Sequence, residues 1–142
     1  MCEVGRACSF GWYGDLPEGC PPTEAVNPAD GQFAYRLTSD PIHPDDFLSQ
    51  FELTTGAGLN PEIHFQEIGV SQCLAKSLSL WETFEKGAKA ARSTLLRQQG
   101  RTTPRKVLFA AGCGVLQPNR KGHVSWWRCA GYDPILHTEG AE

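Results

Sequence analysis

Ser77-Leu78-Ser79-Leu80-Trp81-Glu82-Thr83-Phe84-Glu85-Lys86-Gly87-Ala88-Lys89-Ala90-Ala91 is the stretch that decides the fold class. Its first five residues alternate small polar with large apolar side chains, the two-residue period of a strand. The period then changes. Thr83 is an N-cap residue, and Glu85 lies in the positive first turn of a helix. Phe84, Ala88, Ala91 and Leu95 fall at helical spacing on one face. A strand therefore feeds a helix over 83–99, stopped by Gly100, with Lys86, Lys89, Arg92 and Arg97 on its outer side.

Downstream, 106–111 is an apolar, buried-type strand, broken by the glycines at 112 and 114. A strand resumes over 115–117, a turn occupies 118–122, a strand covers 123–128, and 135–137 is a candidate last edge. Upstream, 32–38 (Gln-Phe-Ala-Tyr-Arg-Leu-Thr) is a first central strand. Pro44 suits a first helical position, with Asp45 and Asp46 after it and an apolar face of Phe47, Leu48 and Phe51, which predicts a helix over 44–53. Residues 54–61 form a loop. Residues 62–76 are read as loop with a turn of helix near 71–75. The order β-α-loop-β-α-β-β-β predicts an α+β fold, a compact mixed or antiparallel sheet with two helices. Residues 1–31 are irregular and rich in Gly and Pro, and Phe10, Trp12, Tyr13 and Leu16 make them a candidate strap. The single α+β domain spans 32–138, and 139–142 is a tail.

At 142 residues the chain suits one domain, and its 20% charged and 10% aromatic content argues against wholesale disorder. No apolar run approaches the ~18 residues of a membrane span, and no basic, then apolar, leader opens the chain. These features predict a soluble, cytoplasmic protein without membrane association. The net charge of −3 conceals a separation. Residues 1–82 carry a balance of −9, residues 83–128 one of +9, and 129–142 one of −3. No acid occurs between Lys86 and Tyr132. Such asymmetry points to a phosphate-bearing partner unless the acidic half folds against the basic half.

Six cysteines (Cys2, Cys8, Cys20, Cys73, Cys113, Cys129) lack any C-x-x-C pair, and four scattered histidines (His43, His64, His123, His137) form no metal motif. In a reducing cytosol free thiols are the expectation and no metal is assigned. Cys113 with His123 is a conceivable nucleophile–base pair.

Several residues are candidates for chemistry. Arg36 on the first strand is either a phosphate clamp or a strand arginine paired or solvated in the ordinary way. Ser77 and Ser79 either line a cleft or form the polar face of their strand. His123 precedes Trp126-Trp127, which point to opposite faces, so one is core and the other either packs as well or is half exposed and able to stack a base or nicotinamide. Neither a G-x-G-x-x-G nor a Walker A nor a G-x-S-x-G motif is present, which argues against Rossmann, P-loop and α/β-hydrolase chemistry.

Tyr35-Arg36-Leu37, Asp46-Phe47-Leu48-Ser49 with Glu52, Ser77-Leu78-Ser79-Leu80-Trp81 before a helix, and Gly122-His123-Val124-Ser125-Trp126-Trp127 resemble a group of small bacterial proteins of uncharacterised function. The element order resembles the ADP-ribosyltransferase-like fold, including RES-type NAD-degrading toxins and RNA 2′-phosphotransferases. That resemblance implies NAD as the bound cofactor. It implies cofactor contacts from Tyr35, Arg36, Ser77 and Trp126, and catalytic roles for Arg36, Ser79 and His123. The late-strand glutamate of classical ADP-ribosyltransferases has no counterpart in 86–132, so Glu52 or Glu82 would have to serve. Two other functions compete. One is a nucleic-acid-binding module using the basic 86–128 face with Trp126 and Trp127. The other is a non-catalytic accessory or inhibitor protein that docks on a partner.

Overall fold

In the computed structural model, which describes residue 8 and residues 11–139, the strand signals become five strands in one antiparallel sheet. They are β1 (Phe33–Thr38), β2 (Leu78–Trp81), β3 (Thr103–Leu108), β4 (Gly114–Pro118) and β5 (His123–Arg128), in the order β3-β1-β2-β5-β4. The β1–β3 pair runs from Phe33 opposite Leu108 to Thr38 opposite Thr103. Register then links Tyr35 to Trp81 and Trp81 to His123 across the centre of the sheet. The third strand thus begins and ends about three residues earlier than its apolar run predicts. The edge expected at 135–137 is instead the 3-10 turn Pro134–His137, started by Asp133 accepting the Ile135 N–H.

Among the described residues the α-helices number five, not two, and polar caps explain why. The predicted 44–53 helix divides into a 3-10 turn, Pro44–Phe47, and α1 (Gln50–Gly56). Ser49 and Glu52 form a capping box at the break. The 62–76 segment holds α2 (Pro61–Glu67), capped by Asn60, and α3 (Gln72–Ala75), capped by Ser71. The 83–99 helix is α4 (Phe84–Ala90) and α5 (Thr94–Gln98), separated where Ser93 caps the second. In all five helices a Ser, Thr or Asn oxygen accepts the N–H three residues on, so each cap restarts the chain in a new direction.

One sheet face carries Ala34, Leu78, Leu80, Val107, Leu116, Val124 and Trp126, packed with Phe47, Phe109 and Cys113 into the main core. Trp126 is wholly buried, and its indole N–H donates to the Cys113 carbonyl at 3.0 Å. On the other face Trp127 packs with Ala25 and Val115, and Trp12 and Leu16 lie over them. Both tryptophans are therefore core, the packing alternative and not the half-exposed one, because the segment before β1 covers the second. At the start of β4 a side chain on Gly114 would collide with the Trp127 carbonyl, and its φ is +124°. Only glycine fits there.

The free-thiol expectation is also corrected. Cys8 bonds Cys129, and Cys20 bonds Cys73. These bridges clip the strap to the end of β5 and to α3. Cys113 is a free thiol in the core, where burial pushes its pKa up to about 12. Cys2 lies outside the described residues. Among the described residues, no three His, Cys, Asp or Glu side chains gather as a metal site, and no helix is long and apolar enough to cross a membrane.

Candidate functional site

Arg36 is a strut. It is 3% exposed, and each of its nitrogens donates to a main-chain carbonyl. Nε reaches Asp46 at 2.9 Å, Nη1 reaches Ser79 at 2.8 Å and Nη2 reaches Leu48 at 3.2 Å. It thereby fastens the 44–48 turn and β2 to β1. Burial, and then the nearby Arg101, pull its pKa well below the usual arginine value, while Asp46 opposes them.

The other candidates lie elsewhere. Register puts Arg36, Leu80 and Trp126 on one sheet face and Tyr35, Ser79 and His123 on the other. Ser77 is buried and donates to the Leu74 carbonyl at 2.7 Å. Ser77 and Ser79 line an apolar groove of about 460 Å³ among α1, α2, α3 and α5. His123 stands edge-on to Trp81 at 4.9 Å, and burial lowers its pKa. Tyr35 meets Phe33 and Phe84 edge to face. Trp126 leaves no ring face for a ligand. The six residues do not meet in one cleft. Cys113 sits in the core on the face opposite His123, with its thiol protonated. The basic stripe of 86–105 is interrupted too, because Arg101 is 5% exposed and Arg105 donates to Thr38 and Asp40.

A cleft forms instead where the strap crosses the end of β5. Arg128, the last residue of β5, lies over the Tyr13 ring at 3.7 Å. Its Nε is buried without an acceptor, and its guanidinium makes no hydrogen bond or ion pair with any described residue. A small enclosed space between Tyr13, Glu52, Lys76 and Arg128 adjoins two larger hollows. One, about 340 Å³, is walled by Tyr13, Asp15, Ser49 and Phe51. The other, about 400 Å³, is walled by Arg128, Asp45, Leu48 and Tyr132. Tyr13 borders all three. Lys76 donates to the Asp15 carbonyl at 2.6 Å and lies 4.5 Å from the Phe51 ring. Glu52 accepts the Ser49 N–H with one oxygen.

The cleft is lined by both signs of charge: Arg128 and Lys76 with Glu52, Asp15, Asp45 and Asp133. The charges acting on Arg36 are Arg101, Arg128 and the single acid Asp46. That carboxylate already accepts from Ser39 Oγ at 2.7 Å and from the His43 N–H at 2.8 Å. Arg101 keeps buried Nε and Nη1 donors without acceptors. Arg36 and Arg101 thus share the Asp46 carboxylate, and Arg128 at the cleft has a buried donor that no described protein group accepts. Such donors are unfavourable to bury unpaired and suit an anion.

Tyr13, Lys76 and Arg128 carry no motif that singles them out in sequence, and Glu52 stands out there only as a substitute acid. Cys8 and Cys20 flank Tyr13, and Cys129 follows Arg128. Those neighbours are the available signal, but cysteine pairing is not deducible from spacing. No family model, curated protein or solved structure matches the chain.

Proposed function

We propose that the protein binds a phosphate-bearing nucleotide of the NAD class in the cleft that Tyr13 and Arg128 border and cleaves its nicotinamide–ribose bond. The Arg128 guanidinium carries this reading: it is held over Tyr13, and its buried Nε has no protein acceptor. A planar fork with unused donors suits phosphate oxygens. Arg36 acts at one remove. It is a positioning residue that fixes the Asp46–Leu48 wall, while Lys76 adds a second cation to the lining.

NAD supplies a pyrophosphate anchor and a labile glycosidic bond. Glu52 contributes a carboxylate to the wall of the adjoining hollow of about 340 Å³. There its charge offsets the positive charge that develops on the ribosyl carbon as nicotinamide leaves with the bonding pair, and water adds to that carbon and releases a proton to solvent. The resemblance to ADP-ribosyltransferase-like proteins supports NAD over other nucleotides, and Glu52 answers the missing late-strand acid. Ser77, Ser79 and His123 take no part in this cleft. The two disulfides favour an oxidising compartment over the cytoplasmic setting expected from sequence.

Incubation of the oxidised protein with NAD, with nicotinamide followed by chromatography, tests the reading. Wild type releases nicotinamide. Glu52→Gln binds NAD but turns over roughly 10²–10³-fold more slowly, and Arg128→Ala loses binding as well. Folded wild-type protein that neither binds nor cleaves NAD overturns the proposal.

A further inference from the structure

The apolar groove floored by Ser77 and Ser79 is separate from the Arg128 cleft and has an unusual rim. Leu59, Ile68, Leu74 and Leu95 line it while each remains 46–56% exposed. Ile63 on the crest of α2 is 54% exposed. A concentration of large apolar side chains of this kind marks a surface that is covered in use.

The charges beside it decide what covers it. The α2 wall carries exposed Glu62 and Glu67 on either side of Ile63. Exposed Arg92 and Arg97 bracket Leu95, which lines the groove from α5. The α1 wall offers the groove only uncharged residues: Gln50, Leu53, Thr54 and Ala57. One rim is therefore acidic and the other basic. A partner that satisfies both must carry the same two charges in reverse order. A second copy turned by a two-fold axis does so, because residue i then meets j while j meets i.

We infer that two copies of this chain associate through the groove. The α2 crest of each, led by Ile63, enters the groove of the other, and Glu62 and Glu67 of one copy face Arg92 and Arg97 of its partner. The apolar contact supplies the affinity, and the crossed charges fix register and exclude like surfaces. This association does not depend on the NAD reading, since the groove and the cleft share no lining residue.

Sedimentation velocity over a concentration series tests it, with circular dichroism to confirm folding of each variant. Wild type shifts from monomer to dimer as concentration rises. Ile63→Glu raises the dimer dissociation constant at least ~10-fold. A variant with Glu62→Lys and Glu67→Lys is monomeric alone, as is one with Arg92→Glu and Arg97→Glu. Mixing these two restores a one-to-one dimer, because each reversed wall then meets its complement. Wild type that stays monomeric throughout the series overturns the inference. So does a dimer indifferent to Ile63→Glu, or a mixture of the two charge variants that remains monomeric. Capture of an apolar small molecule by a strictly monomeric wild type also overturns it.

Discussion

Arg36 and Arg128 belong to one basic cluster and end in opposite conditions. Around Arg36 every nitrogen has a main-chain acceptor, and the side chain joins β1, the 44–48 turn and β2. Around Arg128 the guanidinium rests on a tyrosine ring with a buried donor unused. The first arrangement commits charge to architecture. The second leaves charge for a ligand. A strand arginine is thus not a ligand clamp by virtue of its residue type. What separates the two roles is whether the backbone has already occupied the fork.

The contrast predicts its largest effect on stability. Arg36→Ala leaves three carbonyls without their donor and should cost roughly 3–5 kcal/mol in urea unfolding. A loss below about 1 kcal/mol would remove the distinction between the two arginines. The next effect concerns the strap that makes the Arg128 region. Replacing Cys20 and Cys73 together with serine should lower stability by about 2–4 kcal/mol. It should also release the wall that carries Tyr13, Asp15 and Leu16, so that NAD binding weakens while the Arg36 region keeps its hydrogen bonds. Unchanged NAD affinity in that variant would detach the strap from the site.

The smallest effect is a pH dependence. Burial holds the His123 pKa below 6.5, so the folded state binds fewer protons than the unfolded chain as pH falls through that value. Stability contributed by the neutral ring is present above pH 6.5 and declines below it. Melting temperature should fall modestly between about pH 7.5 and about pH 5, and His123→Gln should flatten part of that slope. Ligand binding at the Arg128 cleft should not follow this titration, since His123 lies at the far end of β5 from Arg128.

Much of the sheet was legible because a strand's period is local. Ser77 to Trp81 reads as a strand from alternation, and the α+β order left a mixed or antiparallel sheet, which the structure resolves as antiparallel. Helix boundaries were less legible. Ser49, Asn60, Ser71 and Ser93 act through single side-chain bonds that a search for apolar stripes passes over. The candidate site was hidden for a different reason. Tyr13 and Arg128 are 115 positions apart in sequence, and they meet because Cys8 bonds Cys129 and the strap crosses β5. Nothing in the spacing of six cysteines selects that pairing. Arg36, by contrast, was conspicuous in sequence because it interrupts an apolar strand, and the interruption serves the fold.

The sharpest test of Arg128 as the ligand anchor is calorimetric titration of NAD into wild type, Arg128→Ala and Arg128→Lys at low salt. Wild type should bind saturably, the lysine variant should retain part of that affinity, and the alanine variant should lose it. Melting temperatures should stay nearly unchanged, because the lost ring contact is offset by removal of a buried, unpaired donor and of a like charge acting on Arg36. Equal binding by all three proteins, or no binding by wild type, would contradict the assignment.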